Sequence, residues 1–181
     1  WFVDSLAPGG TGQTWATAFN NLDSALAISA ATDDVFVMAG SGQVYTPSAP
    51  TGFAIPAGVD LFGGFTSVAQ VTIAARPRSG TTGLLTTLSD LAGSGAFHVV
   101  DFTLGGPGTS VLDGFVVRGG HANGGGLDDV GGGILIAPPV GSTRTLRLVE
   151  LQVHNNQAVV GGGLFGTEAK VFLHRVHFNE N

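Results

Sequence analysis

The period of the apolar positions changes once along this chain. Trp15, Ala18, Phe19, Leu22, Leu26 and Ala30 recur mostly at steps of three and four, which predicts an amphipathic helix over residues 15–31, with Thr32, Asp33 and Asp34 marking its exit. A short strand at residues 1–4 and a loop dense in turn formers, Ala7-Pro8-Gly9-Gly10-Thr11-Gly12, precede it. Beyond the helix only short β-type runs follow, at residues 35–39, 53–55, 59–62, 71–73, 97–100 and 112–117, punctuated by glycine, proline, serine and threonine. One helix followed only by strands departs from a βαβ alternation and divides the chain into a strand and capping helix, 1–34, and a strand stack, 35–181.

The second half repeats itself. Gly131-Gly132-Gly133-Ile134-Leu135 returns as Gly161-Gly162-Gly163-Leu164-Phe165, a displacement of 30 from 131 to 161. Leu146, Leu148, Leu151 and Val153 return as Val171, Leu173, Val176 and Phe178, a displacement of 25 from 146 to 171. The difference falls on Pro138-Pro139-Val140-Gly141-Ser142, an insertion of the kind that belongs in a turn. A weaker copy lies upstream, where Leu112, Phe115, Val117 and Ala122 match Leu148, Leu151, Val153 and Ala158 at a displacement of 36 from 112 to 148. In each copy the apolar spacing runs three and then two, as two short strands meeting at a bend require.

One such unit cannot bury its apolar side chains alone; stacking equivalent strands in parallel at ~4.8 Å gives each inward side chain a like neighbour above and below. The expected fold is therefore all-β: a right-handed parallel β-helix, or solenoid, of roughly five or six coils behind one N-terminal capping helix. The register sets Glu150 over Arg175, an opposite-charge pair of roughly 0.2–1 kcal/mol that played no part in finding it. The repeat is still running at Phe178-Asn179-Glu180-Asn181, which predicts that the native protein continues or that another chain covers this end. Trp1 in place of methionine predicts a processed or trimmed start.

Composition narrows the function classes. Thirty of 181 residues are glycine and 11% are charged, the profile of a turn-rich β protein, while glycine lacks the three-residue period of collagen and a 43% hydrophobic fraction opposes disorder. The net charge is −6, with a single lysine, Lys170, and six scattered arginines, so no basic stripe is available to a phosphate backbone and nucleic acid is excluded as a partner. Zero cysteines rule out disulfides and thiolate metal sites, and no apolar run reaches the ~20 residues of a membrane-spanning helix, so no direct membrane insertion by this segment is expected.

With these residues in view, the chain resembles bacterial right-handed β-helix surface proteins of the polymorphic-outer-membrane-protein type, whose repeats pair a GGA-[ILV] motif with an FxxN motif. Gly132-Gly133-Ile134 and Gly162-Gly163-Leu164 look like the first with glycine in place of alanine, Phe178-Asn179-Glu180-Asn181 satisfies the second, and Val153-His154-Asn155-Asn156 keeps its final asparagine. The opening, from Val3-Asp4 through Trp15-Ala16-Thr17-Ala18-Phe19 to Val35-Phe36-Val37-Met38-Ala39-Gly40, is similar to the cap and first coil of many exported β-helix proteins. The resemblance implies an extracellular or cell-surface location associated with a bacterial outer membrane, and a structural or adhesive role without catalysis. Its partners would be a surface polysaccharide or protein, or copies of itself, since an open coil end exposes apolar side chains and strand edges.

The candidate chemistry is sparse. Asn123-Gly124-Gly125-Gly126-Leu127-Asp128-Asp129-Val130 misses a calcium nonapeptide by its first residue and occurs once; it reads as a solvated turn, with Asp128 and Asp129 as the calcium candidates and no other cofactor indicated. Gly161-x-Gly163-x-x-Gly166 matches a dinucleotide fingerprint in letters, but the residues after it read as strand where a helix must open. His174 and His177 fall on opposite faces of a straight strand and His154 stacks over Asn179, so the histidines read as surface residues. Asn155, Asn156, Asn179 and Asn181 follow strands, where their amides can ladder along a turn. The alternative function is a polysaccharide lyase or glycoside hydrolase, for which Asp60, Asp101, Asp113 and Glu150 are the carboxylate candidates; the repeat register stacks no two of these acids, Arg118 and Arg147 lack an evident acidic cluster, and no catalytic residue is assigned.

Overall fold

A computed structural model describes residues 1–77, 85–91, 93 and 95–181. The strands are β1 (Phe2–Val3), β2 (Asp34–Met38), β3 (Val44–Tyr45), β4 (Phe53–Ala54), β5 (Asp60–Phe65), β6 (Thr86–Ser89), β7 (Val100–Asp101) and β8 (Gly108–Asp113). They continue as β9 (Phe115–Arg118), β10 (His121–Ala122), β11 (Ile134–Ile136), β12 (Arg144–His154), β13 (Gln157–Ala158), β14 (Leu164–Gly166) and β15 (Lys170–Asn179), with one α-helix, α1 (Leu22–Ile28). The molecule is mostly β, and every pairing between these strands is parallel.

Nine strands form one large sheet curled into a half-barrel, joined at the long strand β12. The first half of β12 pairs with β8, which leads back through β5 and β2 to β1; its second half pairs with β9, which leads through β6 to β3; β15 lies along both halves. A separate sheet runs β14-β11-β7-β4, and β10 pairs with β13. All three displacements read from the sequence recur as strand register: Ile134 lies beside Leu164, Leu148 beside both Leu173 and Leu112, and Ala122 beside Ala158.

The bend expected from the three-then-two spacing is a residue in the left-handed region. Gly114, Glu150 and Arg175 have φ of 88°, 50° and 54° at successive levels, and Gly119, Asn155 and Glu180 form a second such column at 85°, 54° and 51°. Upstream glycine makes both corners without a Cβ penalty; downstream, side chains hold a conformation that costs a non-glycine residue roughly 1–2 kcal/mol. At the first corner Arg175 Nη2 lies 2.7 Å from Glu150 Oε1, the pair foreseen from the repeat. Just past the second, Asn156 is buried, donates to Val117 O and to Asn181 Oδ1 at 2.9 Å, and accepts from Gly120 N, an amide ladder through three levels. Gly120 admits no side chain, because a Cβ there would land on the Gly132 carbonyl oxygen.

The helix expected over residues 15–31 is shorter and broken. Thr14 caps a 3-10 turn at Trp15–Thr17, the chain extends through Ala18, and Asn21 then accepts from Ser24 N to start α1. Leu22, Ala25 and Leu26 pack into the main core, whereas Trp15 and Ala18 join a separate aromatic cluster with Phe62 and Phe65 outside the sheet. Phe2, Phe36 and Phe62 stack there at centroid separations of 5.4 and 6.1 Å, since outward positions align level on level as inward ones do. Residues 71–73 are no strand either: Thr72 caps a 3-10 turn at Ile73–Ala75, an exposed segment with no ladder to join.

A cation runs through the interior. Arg144 is fully buried and donates to Ile55 O at 2.8 Å, Pro56 O, Phe102 O and Leu104 O at 2.7 Å, with its guanidinium 4.9 Å from the centre of the Phe102 ring. Burial pushes it down to about 10, a shift partly opposed by Asp101, so it stays charged at neutral pH. One side chain thus satisfies carbonyls from two other levels of the fold. Arg144→Ala leaves these acceptors unpaired beside a cavity and is expected to lower the unfolding free energy by about 3–5 kcal/mol in urea titration, with Arg144→Lys recovering only part.

Candidate functional site

A concave surface lies beside the two-strand ladder of β10 and β13. Alternation turns Ala122 and Ala158 towards the core and His121 and Gln157, which stand beside each other in register, towards solvent. The ladder is held from behind: Gln157 N donates to Gly120 O at 2.9 Å and His121 N to Ala96 O at 3.1 Å, so both side chains project from pinned backbone. A groove of about 550 Å³ on one side is walled by Asn123, Asn156, Val159 and Asn181, and one of about 360 Å³ on the other by Leu91, Asn155 and Glu180; His121 and Gln157 border both. Amides, an imidazole, backbone edges and the apolar Leu91 and Val159, both largely exposed, make a surface suited to hydroxyl-rich ligands, with Glu180 the one carboxylate among these lining residues.

The acids named from the sequence lie apart, each with a partner. Asp113 takes Arg76 Nη2 at 2.6 Å with both side chains buried, Glu150 takes Arg175, and Asp101 accepts from the backbone and hydroxyl of Thr103. Asp60 accepts from Val111 N at 2.9 Å. The structure does bring together a carboxylate pair that sequence reasoning missed, since Asp60 has Asp34 as its register partner across β2 and β5. Burial pushes both above the usual carboxylate range; a proximal like charge adds to this at Asp60, and the chain's amino group opposes it at Asp34. The cue was present in the sequence, because Val35-Phe36 and Leu61-Phe62 align the residues just before them.

Arg147 lies over the ring of Phe172 at 5.9 Å, and Arg118 pairs in register with His154. His154 does lie beside Asn179. His174 and His177 do not fall on opposite faces: the bend at Arg175 between them returns both to the exposed side, where His177 and His154 border one shallow groove. Gly161–Gly166 leads into strand β15 through β14, with no helix to meet a pyrophosphate. Asp128 and Asp129 lie on a 3-10 turn, Gly126–Asp129, with Asp129 Oδ1 accepting from Gly125 N at 3.0 Å. Among the described residues no helix is long and apolar enough to cross a membrane.

No family model matches the chain, and no curated protein or solved structure does so either.

The Asp34–Asp60 pair sets a pH dependence. With a folded-state pKa above the unfolded one, the native chain binds more protons in that interval, so the pair's contribution favours folding at low pH and weakens as pH rises from about 4 through the raised value. Asp60→Asn, which keeps an acceptor for Val111 N, is expected to raise the thermal midpoint at pH 7 and to match the unmodified chain at pH 3, as read by calorimetry.

Proposed function

We propose that this chain is a segment of a right-handed parallel β-helix serving as a non-catalytic structural and adhesive module, displayed outside the cell by a bacterium in the manner of the polymorphic-outer-membrane-protein repeats it resembles. The observation that supports this most is the recurrence of both bend columns at displacements of 36 and 25, from 114 to 150 to 175 and from 119 to 155 to 180, with strands in parallel register on either side of each. A repeat of that kind extends without a fixed length and presents the same outward positions level after level, which suits a spacer or an adhesive surface. The grooves beside His121 and Gln157 would take a hydroxyl-rich surface polymer. The outer edge of β15 would take a further coil, a protein partner or a second copy, since Phe172, Leu173 and Phe178 are largely exposed along it.

A lyase or hydrolase is the second reading, and the neighbouring Asp34 and Asp60 favour it, being two carboxylates with raised proton affinity on adjacent strands. A panel of neutral and acidic polysaccharides, with and without calcium, separates the two. The adhesive reading expects binding without release of reducing or unsaturated ends, weakened about fivefold or more in the His121→Ala/Gln157→Ala double variant, as the loss of about one hydrogen bond's net free energy requires. Turnover abolished by Asp34→Asn or Asp60→Asn would overturn it in favour of the enzyme.

A further inference from the structure

His98 is buried beneath the 123–130 loop and no hydrogen bond reaches its Nε2. Its Nδ1 lies 3.1 Å from Gly131 O. A carbonyl only accepts, so Nδ1 carries the hydrogen, and Nε2, when it carries none, presents a bare lone pair. That lone pair faces Asp128 Oδ1 at 3.6 Å, a second group with only lone pairs to offer. Two acceptors held face to face repel unless a cation stands between them.

We propose that His98 Nε2 and Asp128 Oδ1 are two ligands of a divalent first-row transition metal of the zinc type, with water completing the coordination on the exposed side of Asp128. Bonds of about 2.1 Å to nitrogen and oxygen at a near-tetrahedral angle place the two donor atoms ~3.4 Å apart, close to the separation present. The Gly131 carbonyl supplies the outer contact typical of a metal-bound imidazole, fixing the tautomer and the ring plane. Asp128 is placed before any ion arrives. Its N donates to Gly125 O and its carbonyl accepts from Gly124 N at 3.0 Å, while the next residue's carbonyl accepts from Val159 N at 2.9 Å, tying the turn to the following level. A nitrogen donor with one free carboxylate suits zinc better than calcium, which takes six to eight oxygens, and Asp129 already spends Oδ1 on Gly125. Among the described residues no three acidic or histidine side chains converge, so the chain supplies two donors and water the remaining positions.

The test is a zinc chloride titration of the 1–181 chain, followed by the ring nitrogen resonances of its histidines, with Asp128→Asn and Asp129→Asn beside it. Asp128 is partly exposed, so its variant should fold, and the unmodified chain needs no substitution at the buried ring. The expected result is a zinc-dependent shift at His98 Nε2 with Nδ1 still protonated, weakened at least ~10-fold by Asp128→Asn and kept by Asp129→Asn. Shifts confined to the exposed His121, His174 or His177 would overturn the site. So would a His98 ring carrying both protons and indifferent to zinc, which would mean that a proton occupies the gap, and so would a response to calcium chloride in place of zinc.

Discussion

Parallel strands that pair level on level must turn at the same places, because a corner displaced by one residue reverses which side chains face the core. Everything else in this molecule follows from meeting that requirement with segments of unequal length. Between Gly114 and Glu150 the chain spends 36 residues and between Glu150 and Arg175 only 25, yet all three adopt the left-handed conformation at the same corner. The surplus is absorbed in turns, where no strand depends on it. Where the corner residue has a Cβ, a second interaction accompanies the cost: Glu150 and Arg175 pair with each other, and Asn155 precedes the buried amide of Asn156.

The same stacking rule organises the polar groups. A charge inside a stack of strands cannot reach water, so it must take its partners from neighbouring levels. Arg144 does so with carbonyls and Arg76 with Asp113 and Gly63 O, and each ties together segments far apart in sequence. Most of the chain's acids are spent in this way or in local turns. Among the described residues, the amide and imidazole surface around His121 and Gln157 stays open to solvent.

The repeat made much of this legible in advance. Apolar residues at Leu146, Leu148, Leu151 and Val153 locate the strand, the bend and the register of the next level without reference to three dimensions, because in a parallel stack the spacing of inward residues along one level must equal that of its neighbour. The helix was over-read for the opposite reason. Its three-and-four spacing is genuine in the sequence, but Trp15 and Leu22 belong to different clusters on different sides of a sheet, and the caps Thr14 and Asn21 were the sign that two short elements start there.

The candidate site was less visible. His121 and Gln157 lie on strands of two residues, too short for alternation to register, and their proximity depends on a pairing across 36 positions. His98 reads as one polar letter in an apolar run, and Asp128 as part of a glycine-rich turn. By itself the sequence determined the parallel stacking and the corners, since these are periodic and each level constrains the next. Only the tertiary structure decided which polar side chains meet, because such contacts join single residues from different levels, and single residues have no period.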